Sequence, residues 1–230
     1  MPEPAEAMVL FDIDGTLIRR AGPHHRKALA EAVRQVAGFE TTTEGIALQG
    51  MLDRDIVTEM MRRAGASSKV ISRAMPEVVS RAQTIYGTCC PDLRRKVCPG
   101  VRILLKRLER RQIVMGLVTG NLSAIGWKKM EHAGLKPYFR FGAFAELAAD
   151  RAGLVKIAVG RALSEKWIVS GTPISLVGDH ENDIRAARAN GIRSIAVATG
   201  LSQASELAAL NPDLLIPDLR SLTLEMFLSS

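Results

Sequence analysis

MVLFDIDGTLIRR, Met8 to Arg20, is the stretch on which the reading of the chain turns. Four apolar residues, Met8 to Phe11, have the length and make-up of a buried strand. They run straight into Asp12 and Asp14, with Gly15 and Thr16 behind. Residues two apart on an extended chain share a face, so both carboxyls reach toward one place. Gly15 permits a tight turn immediately after them. Carboxylates crowded together repel one another and raise each other's pKa. A surface Asp-Gly turn is the plain reading of such a stretch; a site that needs paired carboxylates is the sharper one.

Working outward, the same pattern recurs. IVMGLV (113–118), ISLVG (174–178) and SIAVA (194–198) read as further buried strands. Between them VRILLKRLERR (101–111), LSAIGWKKMEHAG (122–134), LVKIAVGRALSEKW (154–167) and NDIRAARANG (182–191) carry apolar residues at helical spacing. Strands alternating with helices predict an α/β fold, a Rossmann-like parallel sheet with crossover helices on both faces. Ligands of such sheets bind where the strands end. There the second strand offers Thr119, Gly120 and Asn121; the third offers Asp179, with Asp183 four residues on. Several carboxylates at one sheet edge become favourable around a hard cation, and Mg²⁺ accepts carboxylates together with water and substrate oxygens.

One interval breaks the alternation. HHRKALAEAVRQVAG (24–38), DRDIVTEMMRRAG (53–65) and SKVISRAMPEVVSRAQTIYG (68–87) follow one another with no strand between them. That is too much chain for a single crossover. We expect an inserted helical cap domain at 21–93, with the core formed by 1–20 and 94–230.

Bulk properties narrow the class. The 230 residues are 47% hydrophobic and 24% charged, ordinary for a soluble globular protein. No apolar run approaches the ~18 residues that cross a bilayer, and the acidic MPEPAEA start is unlike a secretory signal. The expectation is a cytoplasmic protein with no membrane partner. The net charge of +7 admits an anionic partner, but the basic residues read as spread along the chain and rings make up only 4%. Solvated helix faces, with no nucleic-acid partner, are the expectation. Cys89, Cys90 and Cys98 suit neither a disulfide framework nor a zinc site. Nothing in the sequence speaks to oligomeric state.

DIDGT (12–16), VTGN (118–121) and GDHEND (178–183), in that order on alternating strands and helices, resemble the strand-end motifs of the haloacid dehalogenase-like hydrolase superfamily. The helical insertion resembles the cap of its phosphoglycolate phosphatase and β-phosphoglucomutase relatives. The resemblance implies a Mg²⁺-dependent phosphatase acting on a small phosphorylated metabolite through an aspartyl-phosphate. It implies Asp12 as nucleophile and Asp14 as the acid that protonates the leaving alkoxide, then as the base toward water. It implies metal held by Asp12, the backbone carbonyl of Asp14, and Asp179, with Asp183 beside them. Thr119, Gly120, Asn121 and the amides opening the next helix would grip the phosphoryl oxygens. The family's lysine-proline third motif is missing from ADRAGLVKIAVGRA (149–162). Arg151 is favoured by position, just ahead of the expected helix, and Lys156 by residue type, a turn inside it. His24, with His25, opens the first cap helix and Asp53 another; substrate contact stands beside plain helix-start and N-cap roles. Arg19, Arg20, Lys128 and Lys129 read as solvated surface, with steering of anions as the alternative. A phosphomutase shares the chemistry and is the alternative; a dehalogenase has no use for Asp14, because halide leaves without a proton.

Overall fold

The computed structural model describes residues 3–19 and 22–228, so Arg20 and the expected domain boundary at 20/21 lie outside the described residues. Six strands form one wholly parallel sheet: β1 (Met8–Phe11), β2 (Val114–Val118), β3 (Phe141–Ala143), β4 (Ile174–Gly178), β5 (Arg193–Val197) and β6 (Leu214–Ile216). Their order is β3-β2-β1-β4-β5-β6. From β1 the chain builds outward through β2 and β3, then crosses to β4 on the other side and builds outward again. The switch point of the sheet therefore lies beside β1, where such folds open a crevice.

Register sets what meets there. Phe11 lies opposite Leu117 of β2 and Val177 of β4. One residue past Phe11 is Asp12, and two past its partners are Thr119 and Asp179, so all three gather at one edge.

Alternation along β1 splits the core in two. Met8 and Leu10 join an apolar cluster with Val155 and Ala158 of one crossover helix and Ala187 of another. Val9 and Phe11 face the opposite cluster, with Leu104 and Leu108 of a third helix. Those crossovers are α4 (Val101–Arg110), α5 (Ser123–Ala133), α6 (Arg151–Ser164) and α7 (Glu181–Ala189). Burial of β1 on both faces explains its uninterrupted apolar run.

Between β1 and α4 lie α1 (His24–Ala37), α2 (Asp53–Arg63) and α3 (Ser68–Cys89), with no strand among the described residues of that interval. Their inward residues, among them Leu29, Val57 and Val78, join the same cluster as Met8 and Leu10. Two short strands, β3 and β6, were not expected. At three residues each they are too short to show a period. The helix expected at 154–167 opens three residues earlier, at Arg151, because the side chain of Asp150 caps it by accepting from the Gly153 amide at 2.7 Å.

The basic charge is also less spread than expected. Eight of the 31 Lys and Arg side chains fall within 94–111 against one acid, Glu109. Arg102, Lys106, Arg107 and Arg110 stand exposed on the outer face of α4.

Candidate functional site

Asp12 leaves the end of β1 and is 6% exposed. Its Oδ1 accepts a 2.8 Å hydrogen bond from Nη1 of Arg151, which also donates to the Val118 carbonyl at 3.2 Å. The same Nη1 lies 3.3 Å from Asp183 Oδ1. Burial works against the guanidinium charge, but the Asp183 and Asp12 carboxylates outweigh it and raise the pKa. Arg151 reaches this position because it is the first residue of α6, at the sheet edge. Lys156, the alternative, lies on the exposed side of α6 and takes no part.

Asp179 follows β4, and its Oδ1 accepts from the Thr16 hydroxyl at 3.1 Å. Asp183 is the third residue of α7, and its Oδ2 accepts from the His180 amide at 3.2 Å, closing a capping box. Asp12, Asp179 and Asp183 each bring one carboxylate oxygen within 4.8 Å of the others. Burial, then the charges of Asp12 and Asp183, push the Asp179 pKa well up. Burial lifts Asp183 to about 7, with Arg151 opposing and Asp12 adding. Asp183 Oδ1 is buried and accepts no hydrogen bond among the described residues. Fully ionised, three buried carboxylates against one guanidinium would leave two negative charges over, which, on top of burial, is why Asp179 and Asp183 hold their protons so strongly. Together with the orphaned oxygen, that fits a divalent cation with oxygen ligands.

Glycines make room for this cluster. A Cβ on Gly15, at φ +90°, would stand 2.2 Å from Asp179 Oδ2. One on Gly200 would stand 1.7 Å from the same oxygen.

Asp14, on the other side of Asp12, keeps a carboxyl that is 39% exposed. Its Oδ2 accepts from Lys129 Nζ at 2.6 Å and from Asn121 Nδ2 at 2.8 Å. Burial pushes its pKa up, but the facing Lys129 charge and these hydrogen bonds prevail and hold it below the ordinary value. Lys129 was expected on the solvated surface; it is 1% exposed. It lies four residues from Ile125 and from Ala133 on the buried face of α5, and that spacing was the available signal. Lys128 behaves as expected, pairing with Glu131 at 3.3 Å on the outside.

Thr119 is buried, and its Oγ1 accepts from Asn121 Nδ2 at 2.7 Å, which leaves the hydroxyl proton free to donate. The helix amides that follow are otherwise engaged. Leu122 N donates to Asp53 Oδ2 at 2.8 Å, Ser123 N to Glu146 Oε1 at 2.8 Å, and Ala124 N to Gln83 Oε1 at 2.7 Å. Asp53 and Gln83 come from α2 and α3 and Glu146 from the segment after β3, so these three amides are taken and not open to an anion. The N-cap of α2 is Leu52. Asp53 is the first residue inside that helix and serves α5 in place of its own helix.

The segment 50–53 closes over the sheet edge: Asp53 N donates to the Gly120 carbonyl at 2.8 Å, and Asn182 Nδ2 to that of Gly50 at 2.9 Å. Of the two histidines, His25 enters the site. His25 Nε2 is 2.9 Å from Asp53 Oδ2 and Nδ1 is 3.2 Å from Lys129 Nζ. His24 stays outside this network, its buried Nδ1 without a partner among the described residues. Arg19 is exposed.

The family model described as haloacid dehalogenase-like hydrolase matches residues 9–197. The chain is 29% identical over 213 residues to the phosphoglycolate phosphatase of Synechococcus elongatus, covering 90% of this chain and 91% of that one. Among solved structures, β-phosphoglucomutase from Clostridium difficile superposes with a TM-score of 0.69 at 18% identity, over 96% of this chain and 94% of that one. A CbbY mutant from Rhodobacter sphaeroides, in complex with xylulose-(1,5)bisphosphate, gives 0.70 at 18% identity, over 96% and 98%. At that identity the structures speak for the fold.

Proposed function

This chain belongs to the haloacid dehalogenase-like hydrolase family, and on that premise we propose that it hydrolyses a small phosphate monoester, phosphoglycolate or a similar phosphorylated metabolite, through an aspartyl-phosphate. It is a phosphoric monoester hydrolase, and the finer assignment rests on what each side chain can do. The observation that carries it is the pairing of a buried, guanidinium-bonded Asp12 with a half-exposed Asp14 two residues on.

Asp12 is the nucleophile. Its Oδ1 is fixed by Arg151, and its carboxylate attacks phosphorus to form the acyl phosphate. Asp14, held toward its ionised form by Lys129, takes up one proton as the monoester monoanion binds and passes it to the departing alkoxide, which leaves as the alcohol. The same carboxylate then takes a proton from water, which attacks the acyl phosphate and releases inorganic phosphate with Asp12 restored. Thr119 donates its free hydroxyl proton to a phosphoryl oxygen. Asp12, Asp179 and Asp183, with the Asp14 carbonyl, would hold the Mg²⁺, which supplies charge neutralisation for the phosphoryl oxygens and the carboxylates. The interval 22–93 serves as the cap: with segment 50–53 over the strand ends, it excludes water and selects the alcohol portion of the substrate. His25 and Asp53 join this machinery as cap residues, and His24 has no role in it.

A panel of phosphorylated metabolites with Mg²⁺, assayed for released phosphate, tests the reading. Wild type should turn over one or more members, and Asp12→Asn should lose at least ~10³-fold in kcat, as loss of a nucleophile does. Substantial turnover by a folded Asp12→Asn variant would refute it.

A further inference from the structure

We infer that Lys129 is the positioning residue of the acid/base carboxyl, and that the helical interval completes its seating through His25. The inference rests on the role of Asp14 proposed above.

An ammonium buried to 1% exposure is stable only when charge and hydrogen bonds compensate its lost hydration. Lys129 finds both. Its three N–H groups have three acceptors: Asp14 Oδ2 at 2.6 Å, Asn121 Oδ1 at 2.6 Å and His25 Nδ1 at 3.2 Å. A protonated lysine has three donors and no more. No donor is left for a phosphoryl oxygen, so Lys129 acts on its neighbours and does not bind substrate.

What it acts on is the orientation of one carboxyl. Lys129 and Asn121 Nδ2 both approach Oδ2 of Asp14. Among the described residues no hydrogen bond engages Oδ1, which is left for the leaving-group oxygen. Asn121 Nδ2 also reaches Thr119 Oγ1 at 2.7 Å, so the carboxyl and the phosphoryl-binding hydroxyl are fixed in one frame.

The third acceptor comes from elsewhere in the fold. His25 stands on α1, its ring edge-on to Tyr86 with centroids 5.6 Å apart. With Nδ1 accepting from Lys129, the ring proton sits on Nε2 and is donated to Asp53 Oδ2. That same oxygen accepts the Leu122 amide of α5. The seat of Lys129 is thus finished by α1 and α2, and withdrawing those helices removes one of its three acceptors. Closure over the sheet edge and alignment of the acid become one event.

The test separates leaving-group protonation from binding. Wild type, Lys129→Met, His25→Ala and Asp14→Asn are assayed with saturating Mg²⁺ on an alkyl phosphate, 4-nitrophenyl phosphate and 2,4-dinitrophenyl phosphate. The parameter is kcat/KM, which reports steps up to departure of the alcohol. Lys129→Met should lose about 10²-fold on the alkyl ester, within the range of general-acid catalysis, and under ~3-fold on the dinitrophenyl ester, which leaves without a proton. His25→Ala should slope in the same direction but less steeply, losing about 10-fold on the alkyl ester and almost nothing on the dinitrophenyl ester, because the other two acceptors remain. Equal loss across the series, or none, would overturn the inference. If Lys129→Met does not fold, the His25→Ala slope decides alone. Asp14→Asn is the control. A flat series for Asp14→Asn overturns the acid/base reading itself; a steep one beside a flat Lys129→Met overturns only the positioning role.

Discussion

Removing metal should make this protein lose stability as pH rises, and the size of the effect follows from the buried carboxyls. Asp183 ionises near 7 in the metal-free fold, against an ordinary 3.8. Between those values the folded state binds a proton that the unfolded chain has released, so stability falls with rising pH. The penalty is absent below about pH 4 and complete above about pH 7. Over the whole window it is about 4 kcal/mol at 1.36 kcal/mol per unit. Between pH 5.5 and 8 about 1.5 units of the shift remain, or about 2 kcal/mol. For a chain of this size that lowers Tm by roughly 4–8 °C. Asp179, raised in the same direction, adds to the slope. Saturating Mg²⁺ replaces the protons, so its stabilising effect should grow across the same interval while the slope flattens. Thermal melts in chelator and in Mg²⁺, at pH 5.5 and 8, read both quantities. A Tm in chelator that is level or rises with pH, or a Mg²⁺ increment equal at both pH values, would refute the account.

Other perturbations follow from the same contacts. Asp179→Asn should melt at least as high as wild type in chelator at pH 8, since a disfavoured charge is gone, yet lose the Mg²⁺ increment; calorimetry with and without the ion reads both. Arg151→Lys should cut kcat by about 10²-fold, because an ammonium cannot hold Asp12, the Val118 carbonyl and Asp183 in the planar pattern a guanidinium allows. Lys156→Ala should leave steady-state parameters within about twofold, as surface changes do. Asp53→Ala removes a cap from α5 and a partner from His25, and should cost about 1–2 kcal/mol in urea unfolding.

The framework was legible because its signals are local. Met8–Phe11 needs only composition to read as a buried strand, and the register that brings Asp12, Thr119 and Asp179 together follows once three such strands are parallel. The basic residue beside Asp12 was half legible. Arg151 and Lys156 differ by where a helix begins, and that is set by one capping carboxylate, Asp150, whose preference the expected boundary at 154 overlooked. Lys129 was misread because adjacent lysines look alike as a sequence pair, whereas successive helix residues lie ~100° apart and face different surroundings. Ile125 and Ala133, each four residues away, mark Lys129 as the inward one.

The capping of α5 lay beyond such reading altogether. An N-terminus of a core helix following a strand-end threonine invites the expectation of anion-binding amides, and nothing within residues 118–125 contradicts it. The contradiction comes from Asp53, Gln83 and Glu146, up to 69 residues away, whose oxygens take the Leu122, Ala124 and Ser123 amides. A helix start with the Leu122, Ser123 and Ala124 amides satisfied in this way gains little from an anion at those three, so a phosphoryl group at this strand end is left to donors further back, the Thr119 hydroxyl among them. The consequence is mechanistic as well as structural. Groups that would serve substrate in an open helix start here serve the joint between two parts of the fold, and Asp53→Ala, by releasing the Leu122 amide, tests whether that joint and the acid/base frame around Lys129 are coupled. A loss of kcat/KM on alkyl esters that exceeds the loss on dinitrophenyl phosphate would show the coupling; a loss of stability alone would confine Asp53 to holding the joint.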